Sequence, residues 1–257
     1  MLTPIRIPRP PAAGAGNPVT EWRVLWQEPP YVEHFYGETG GSLPAPWTVT
    51  DVSAAGSPTT DYQENIGGDY ILAMDATDEA QQLHVDWNDA LMLGKWNVLD
   101  GLMAFSWQFS AYPDNADSGN WRVGHRMMVG IGSAYNANLD SIQRYCRLAC
   151  DGDNDILIET DDNATVSSTD TGENWNRNAI YTLTIVLNPA ETQVEYYLGK
   201  VEDPTIAPPS MLYLGAHTFA ATFAYFQPMA AIQKASGGYQ DSLTLETFSA
   251  TMPAKYA

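Results

Sequence analysis

The chain has 257 residues, with eight Trp and fourteen Tyr, and sets 31 acidic residues against 12 basic ones. A surface this acidic repels nucleic acid and anionic membrane, which excludes binding through a basic patch, and no apolar run of about 18 residues marks a membrane span. The aromatic content, with Pro and Gly spread throughout, suits many short half-buried strands joined by turns, and the length allows one large β domain or two smaller ones.

Residues 1–30 differ from the rest. Pro4, Pro8, Pro10, Pro11 and Pro18 fix φ and remove donors, so this segment reads as extended or polyproline-like. Up to Pro18 it carries Arg6 and Arg9 and no acid, and it lacks the apolar core of a secretory signal. Ile5 and Ile7 flank Arg6 and share one side of an extended chain. Two readings stand: a loose terminus, or an arm whose Ile5, Arg6, Ile7 and Arg9 dock in a partner's groove or on its sheet edge. Trp22, Val24 and Trp26 alternate and start the first strand. The expected organisation is a docking arm over 1–30 and one β-sandwich domain over 31–257.

Phe35 and Tyr36 precede Gly37, Gly40 and Gly41, and a β run starts at Trp47. Gly67-Gly68 turns into Tyr70–Met74. Asp78–Gln82 is the best short helical candidate. From Gln82 to Trp87 the chain alternates, with Leu83, Val85 and Trp87 on one face, which leaves His84 facing solvent. Phe105, Trp107 and Phe109 oppose Ser106 and Gln108 in the same way. Met128–Ile131 is apolar, Tyr135–Asp140 is a polar connection, and Ile142–Cys150 alternates again. Asp151-Gly152 then marks a hairpin turn, after which Ile156, Ile158 and Thr160 alternate with Leu157 and Glu159. Strands over Tyr181–Leu187, Gln193–Leu198, Tyr225–Lys234 and Ser242–Phe248 complete the pattern. This is an all-β chain, and two packed antiparallel sheets with jelly-roll connections bury its half-apolar strands.

Cys146 and Cys150 lie on one strand face, roughly 13 Å apart at strand rise, beyond disulfide reach. They read as buried thiols of a chain folded in a reducing compartment, and without nearby His they make no zinc site.

The order of motifs carries a resemblance. G-I-G-S-A-Y-N-A-N-L-D-S-I from Gly130, C-R-L-A-C-D-G-D from Cys146 and I-L-I-E-T-D-D from Ile156 come first. Tyr181–Ile185, Val194–Gly199, Phe226–Gly237 and Leu243–Leu245 follow. Over about residues 31–250 the chain resembles the concanavalin A-like (lectin/glucanase-type) jelly-roll domains of tailed-bacteriophage structural proteins. The resemblance implies a two-sheet jelly roll and a place on a virion, as a capsid decoration, head-fibre or other accessory protein made in the host cytoplasm. The partner would be the major capsid protein or another virion protein. The arm lies outside the resemblance.

Four chemistries bear on the acids, histidines and aromatics of this chain. Glucanases of this fold class place acids in an E-x-D-x-x-E strand; Glu159-Thr160-Asp161 begins that way, but Ala164 stands in the last position. Asp151, Asp153 and Asp155 match the start of a calcium loop, but Ile156 replaces its Gly and Asp162 its final Glu. His34, His84, His125 and His217 are scattered, with no nucleophile elbow. Tyr112, Trp121, Tyr135 and Trp175 can stack on a glycan or serve the core. None of these patterns assigns a catalytic residue, a cofactor or a metal. The expectation is a non-enzymatic, closed homo-oligomer on the capsid exterior, taken as a trimer, with lectin-like glycan binding for host attachment as the alternative.

Overall fold

The structure is a computed structural model. It describes residues 3–11, 16–19, 22–27, 31–38, 40–63, 69–89, 93–96, 101–114, 121–152, 154–177, 179–201, 211–219 and 224–251. The amino-terminal strands are β1 (Thr3–Pro8), β2 (Asn17–Pro18), β3 (Trp22–Gln27) and β4 (Tyr31–His34). There follow β5 (Thr48–Asp51), β6 (Thr59–Tyr62), β7 (Tyr70–Ala73), β8 (Gln81–Asp86), β9 (Leu93–Trp96) and β10 (Met103–Tyr112). The central strands are β11 (His125–Gly132), β12 (Tyr145–Asp151), β13 (Asp155–Asp161) and β14 (Val166–Asn174). The last are β15 (Ile180–Asn188), β16 (Gln193–Val201), β17 (Met211–Thr218), β18 (Ala224–Lys234) and β19 (Ser242–Thr251). Among the described residues the only helical turns are the short 3₁₀ segments Leu139–Ser141 and Pro189–Glu191.

Two antiparallel sheets form the expected sandwich. Sheet I runs β2-β17-β16-β15-β10-β19-β7-β6, with β4 also on β19. Sheet II runs β14-β13-β12-β11-β18-β8-β5, with β9 also on β18. Alternation along each strand sends one set of side chains inward. Sheet I contributes Phe105, Trp107, Phe109, Leu183 and Ile185 to the core; sheet II contributes Met127, Val129, Ile131, Leu148 and Ile158. The Trp107 indole N–H donates to the Gly130 carbonyl at 2.8 Å, so a buried polar group is satisfied across the two sheets. Cys146 and Cys150 are both buried in this core, and neither is in a disulfide.

The central hairpin is where the sequence places it, as β12 and β13 paired from Tyr145↔Asp161 to Ala149↔Leu157. The strand starts at Tyr145, because Ile142 instead ends the Leu139–Ser141 turn. No helix forms over Asp78–Gln82. The carboxylates in and just before this stretch serve the backbone instead: Glu79 accepts from the Ala55 and Gly56 amides, and Asp75 from Thr77. The short-range bond from Thr77 to Asp75 is of the kind that competes with helix formation.

The amino-terminal segment is folded onto the domain. β1 pairs with β3 from Thr3↔Gln27 to Pro8↔Trp22, and β2 adds to the β17 edge of sheet I. Residues 28–30, where the domain boundary was expected, lie outside the described residues.

Candidate functional site

The acids that most look like a site lie on the outer face of sheet II. Gly130, Arg147 and Glu159 stand opposite one another on β11, β12 and β13. A Cβ on Gly130 would lie 2.6 Å from the Arg147 Cα, so only glycine lets these strands approach this closely. Arg147 is 1 % exposed. Its Nε donates to Glu159 Oε2 at 2.7 Å, its Nη2 to Asp140 Oδ1 at 3.2 Å and its Nη1 to the Leu139 carbonyl at 3.3 Å. The guanidinium also lies 3.9 Å from the centroid of the Tyr145 ring. Asp140 in turn binds Arg126 at 2.9 Å, and Arg126 reaches Asp151 at 3.3 Å. Burial raises the Asp140 pKa, but the two guanidiniums outweigh it and hold the carboxyl below the usual range.

The segment over 133–144 covers this face. Its underside packs Leu139 and Ile142 on Met128, Ala149, Met229 and Ala231. Polar bonds hold it down. Gln227 Nε2 donates to the Ser133 carbonyl at 2.9 Å and to Asp89 Oδ1 at 2.8 Å. Asp89 Oδ1 also accepts from the Tyr135 amide at 2.9 Å, and Gln82 Nε2 donates to the Ala137 carbonyl at 3.0 Å.

This cover corrects the expectation for His84. Alternation does put His84 on the outer side of β8, but Tyr135 stacks over it with ring centroids 5.3 Å apart, and His84 is 1 % exposed. Burial pushes its pKa down to about 4, which keeps the ring neutral. His125 is buried against Asp241 at 2.5 Å, with its other nitrogen 3.2 Å from the Ser236 carbonyl. His217 sits between Thr160 and Thr169, at 2.9 and 3.0 Å. His34 stacks on Tyr36. The four rings are held in separate places.

The remaining acids act in turns. Asp161 Oδ1 accepts from the Asn163 amide at 2.7 Å, and Asp162 Oδ1 from Ala164 and Thr165 at 2.9 and 2.7 Å. Asp153, the middle member of the expected calcium triplet, lies outside the described residues. Among the described residues no three His, Cys, Asp or Glu side chains group as a metal site. Of the four aromatic candidates for glycan stacking, Trp121 and Trp175 are buried, Tyr135 is half-buried and Tyr112 is exposed.

The arm residues divide. Ile7 is buried with Ala104, Val186 and Tyr197 on the outer face of sheet I, while Arg6 and Arg9 are exposed. Ile5 pairs with Leu25 along the backbone; its side chain lies outside the described part. One apolar anchor of the expected docking arm is therefore used inside the chain.

Sequence reasoning passed over Arg147 and Asp140. The available signal was a single arginine within the apolar run Tyr145–Cys150, since a charge there requires a partner.

No protein-family model and no curated protein matches the sequence. Solved structures do match the fold. Lectin II from Ulex europaeus superposes with TM-score 0.53 at 8 % identity, over 88 % of this chain and 99 % of its own. An endo-1,3-beta-glucanase from Streptomyces sioyaensis gives 0.52 at 10 % identity, over 97 % and 100 %. The CBM2 module of an evolved Dit from Lactobacillus casei BL23 phage J-1 gives 0.50 at 10 % identity, over 89 % and 99 %. The fold is therefore the lectin/glucanase-type β-sandwich of the concanavalin A-like kind.

Proposed function

We propose that this chain is a non-enzymatic structural protein of a phage particle, an accessory or head-fibre-like protein held on the capsid exterior by the major capsid protein or another virion protein. One observation carries the non-enzymatic part. Glu159, the best candidate acid, is 12 % exposed and bound by a buried guanidinium, whereas a general acid or nucleophile has to reach substrate. Cleavage of any polysaccharide by the purified chain, abolished in Glu159→Gln, would overturn this part.

The virion part is supported by the order of the sequence motifs and by the likeness to the phage J-1 module. Arg6 and Arg9 stay exposed on an otherwise acidic molecule and offer the arm's cations to a partner. Antibody-gold labelling of purified particles is the direct test. Gold on the head exterior is expected; gold on tails, or none, removes the capsid assignment. Replacing Arg6 and Arg9 by Glu should leave the domain folded and weaken its association with particles. Light scattering on the purified chain should give the mass of a closed homo-oligomer, taken as three copies.

Glycan binding is the second reading. It is favoured by Tyr112, 48 % exposed with the Arg177 guanidinium 5.1 Å from its ring, and by the lectin fold. A glycan array probed with and without calcium decides it, and binding to no glycan removes it.

A further inference from the structure

We infer that the segment over 133–144 is an acid-released lid on the outer face of sheet II, with His84 beneath it as the proton sensor. The device does not depend on the docking reading above. The segment is built to move as one piece. Its ends are tied together: the Ser133 amide donates to the Arg144 carbonyl at 2.7 Å, and the Arg144 amide to Ser133 Oγ at 3.2 Å. Inside it the Asn138 amide donates to Asn136 Oδ1 at 2.9 Å and the Asp140 amide to Asn138 Oδ1 at 3.1 Å. A loop closed at its base and bonded to its own side chains is a compact unit. No residue of it lies in a strand. Side chains hold it to the sheet: Gln82, Asp89 and Gln227 on its backbone, and Arg126 and Arg147 on Asp140.

His84 lies under this cover with both ring nitrogens buried and without a hydrogen-bond partner among the described residues. Tyr135 stacks on it from the lid. Thr50 of β5 and Ala231 of β18 stand opposite it on either side, and Gln82 and Asp86 flank it along β8. The carboxylates on this side are Asp86 and Asp89. Asp86 Oδ2 is 3.7 Å from His84 Nδ1 and has no hydrogen-bond partner of its own. Asp89 Oδ1 is taken by the Tyr135 amide and Gln227 Nε2.

An imidazolium has two N–H donors and a full charge. Closing the gap to Asp86 would serve Nδ1 alone and leave Nε2–H buried with no acceptor, which is costly. Lifting Tyr135 lets water reach the ring. The proton therefore favours the open lid. Burial pushes the closed-state pKa down from 6.5 to about 4. Between those values the open state takes a proton that the closed state refuses, so acidification from pH 7 to 4 should raise the opening equilibrium about a hundredfold. Opening bares Met128, Ala149, Met229 and Ala231, on which Leu139 and Ile142 pack.

The test is hydrogen exchange on the ¹⁵N-labelled full chain from pH 7 to 4, each rate divided by its intrinsic rate at that pH. The Tyr135 amide and the Gln82 and Gln227 side-chain amides should lose protection about a hundredfold, while the amides of β10 and β15 keep theirs. Constant protection at the lid, or an equal loss in β10 and β15, overturns the inference. His84→Phe keeps a ring under Tyr135 and takes no proton, so its lid should stay protected. The same loss in that variant would assign the opening to carboxylates and overturn the role of His84. Tyr135→Ala reads the linkage from the other side. With the cover gone, the His84 ring, followed by its ¹⁵N shifts, should titrate near 6.5. A ring that still titrates near 4 would show that the lid does not control its proton. Unchanged β10 and β15 spectra show that each variant folds.

Discussion

Arg147 is almost fully buried, yet it meets Glu159 at 2.7 Å, Asp140 at 3.2 Å and the Leu139 carbonyl at 3.3 Å. Truncating one partner of a buried pair leaves the other charge uncompensated, at about 3–5 kcal/mol, whereas replacing both by apolar groups is often near neutral. Arg147→Ala is therefore expected to lose several kcal/mol in urea unfolding, and Arg147→Met combined with Glu159→Leu much less. A loss under about 1 kcal/mol for the single variant would place it with ordinary surface substitutions and end this account. Two other groups set a pH dependence. The native pKa of His84 is pushed down to about 4 by burial. Between pH 6.5 and 4 the unfolded chain takes a proton that the native state refuses, so stability falls as the solution is acidified. Glu246 is the extra residue of the bulge where β19 meets Gln108 and Phe109. Burial and then Asp69 raise its pKa to about 7. The unfolded carboxyl ionises first, so stability falls as pH rises from about 4.5 to 7 and is level above that. Glu246→Gln should gain on the wild type across that window in thermal melts. No change in the difference between the two curves would show that the carboxyl is solvated.

Strand β18 ends on Lys234, which is fully buried. Its Nζ donates to the carbonyls of Asp75 at 2.6 Å, Thr77 at 2.8 Å, Gly237 at 2.9 Å and Tyr239 at 3.4 Å. One ammonium thus ties the β7–β8 loop to the β18–β19 loop. Lys234→Met keeps the stem and strands these carbonyls, so a loss of about 2–5 kcal/mol is expected in denaturant unfolding. The loop amides should also lose protection in hydrogen exchange, and a melt within error of the wild type would refute the role. The strand itself is legible, since Tyr225–Lys234 has the composition of one. The cage is not, because its carbonyls on Asp75 and Thr77 lie 159 and 157 positions from the lysine. The same limit explains His84. Alternation correctly assigns it to the outer side of β8, but period two cannot say that the segment over 133–144 returns to cover that side.

Across the molecule, a net charge of −19 opposes the compact state through self-repulsion, which salt screens over about 10 Å at 0.1 M. The melting temperature should rise between about 20 mM and 0.3 M NaCl. The Arg147 contribution should change little over that range, because buried pairs are screened far less. A melting temperature that falls with salt would mean that attractive surface pairs outweigh the repulsion.

The alternation of apolar residues, the turn at Asp151-Gly152 and the aromatic content were enough to specify an antiparallel two-sheet sandwich and most of its core. These features act locally: side-chain period and turn geometry are properties of a few consecutive residues. The acids at Glu159 and Asp161 were equally visible, and so was their departure from a catalytic pattern. Their engagement was not visible, because Arg147, Asp140 and the covering segment meet Glu159 only when β12, β13 and residues 133–144 pack together. The burial of Ile7 against Ala104, Val186 and Tyr197 and the cover of Tyr135 over His84 belong to the same class. Each joins residues distant in the chain, and long-range packing sets whether a side chain facing out of a strand meets solvent, a partner or another part of its own molecule.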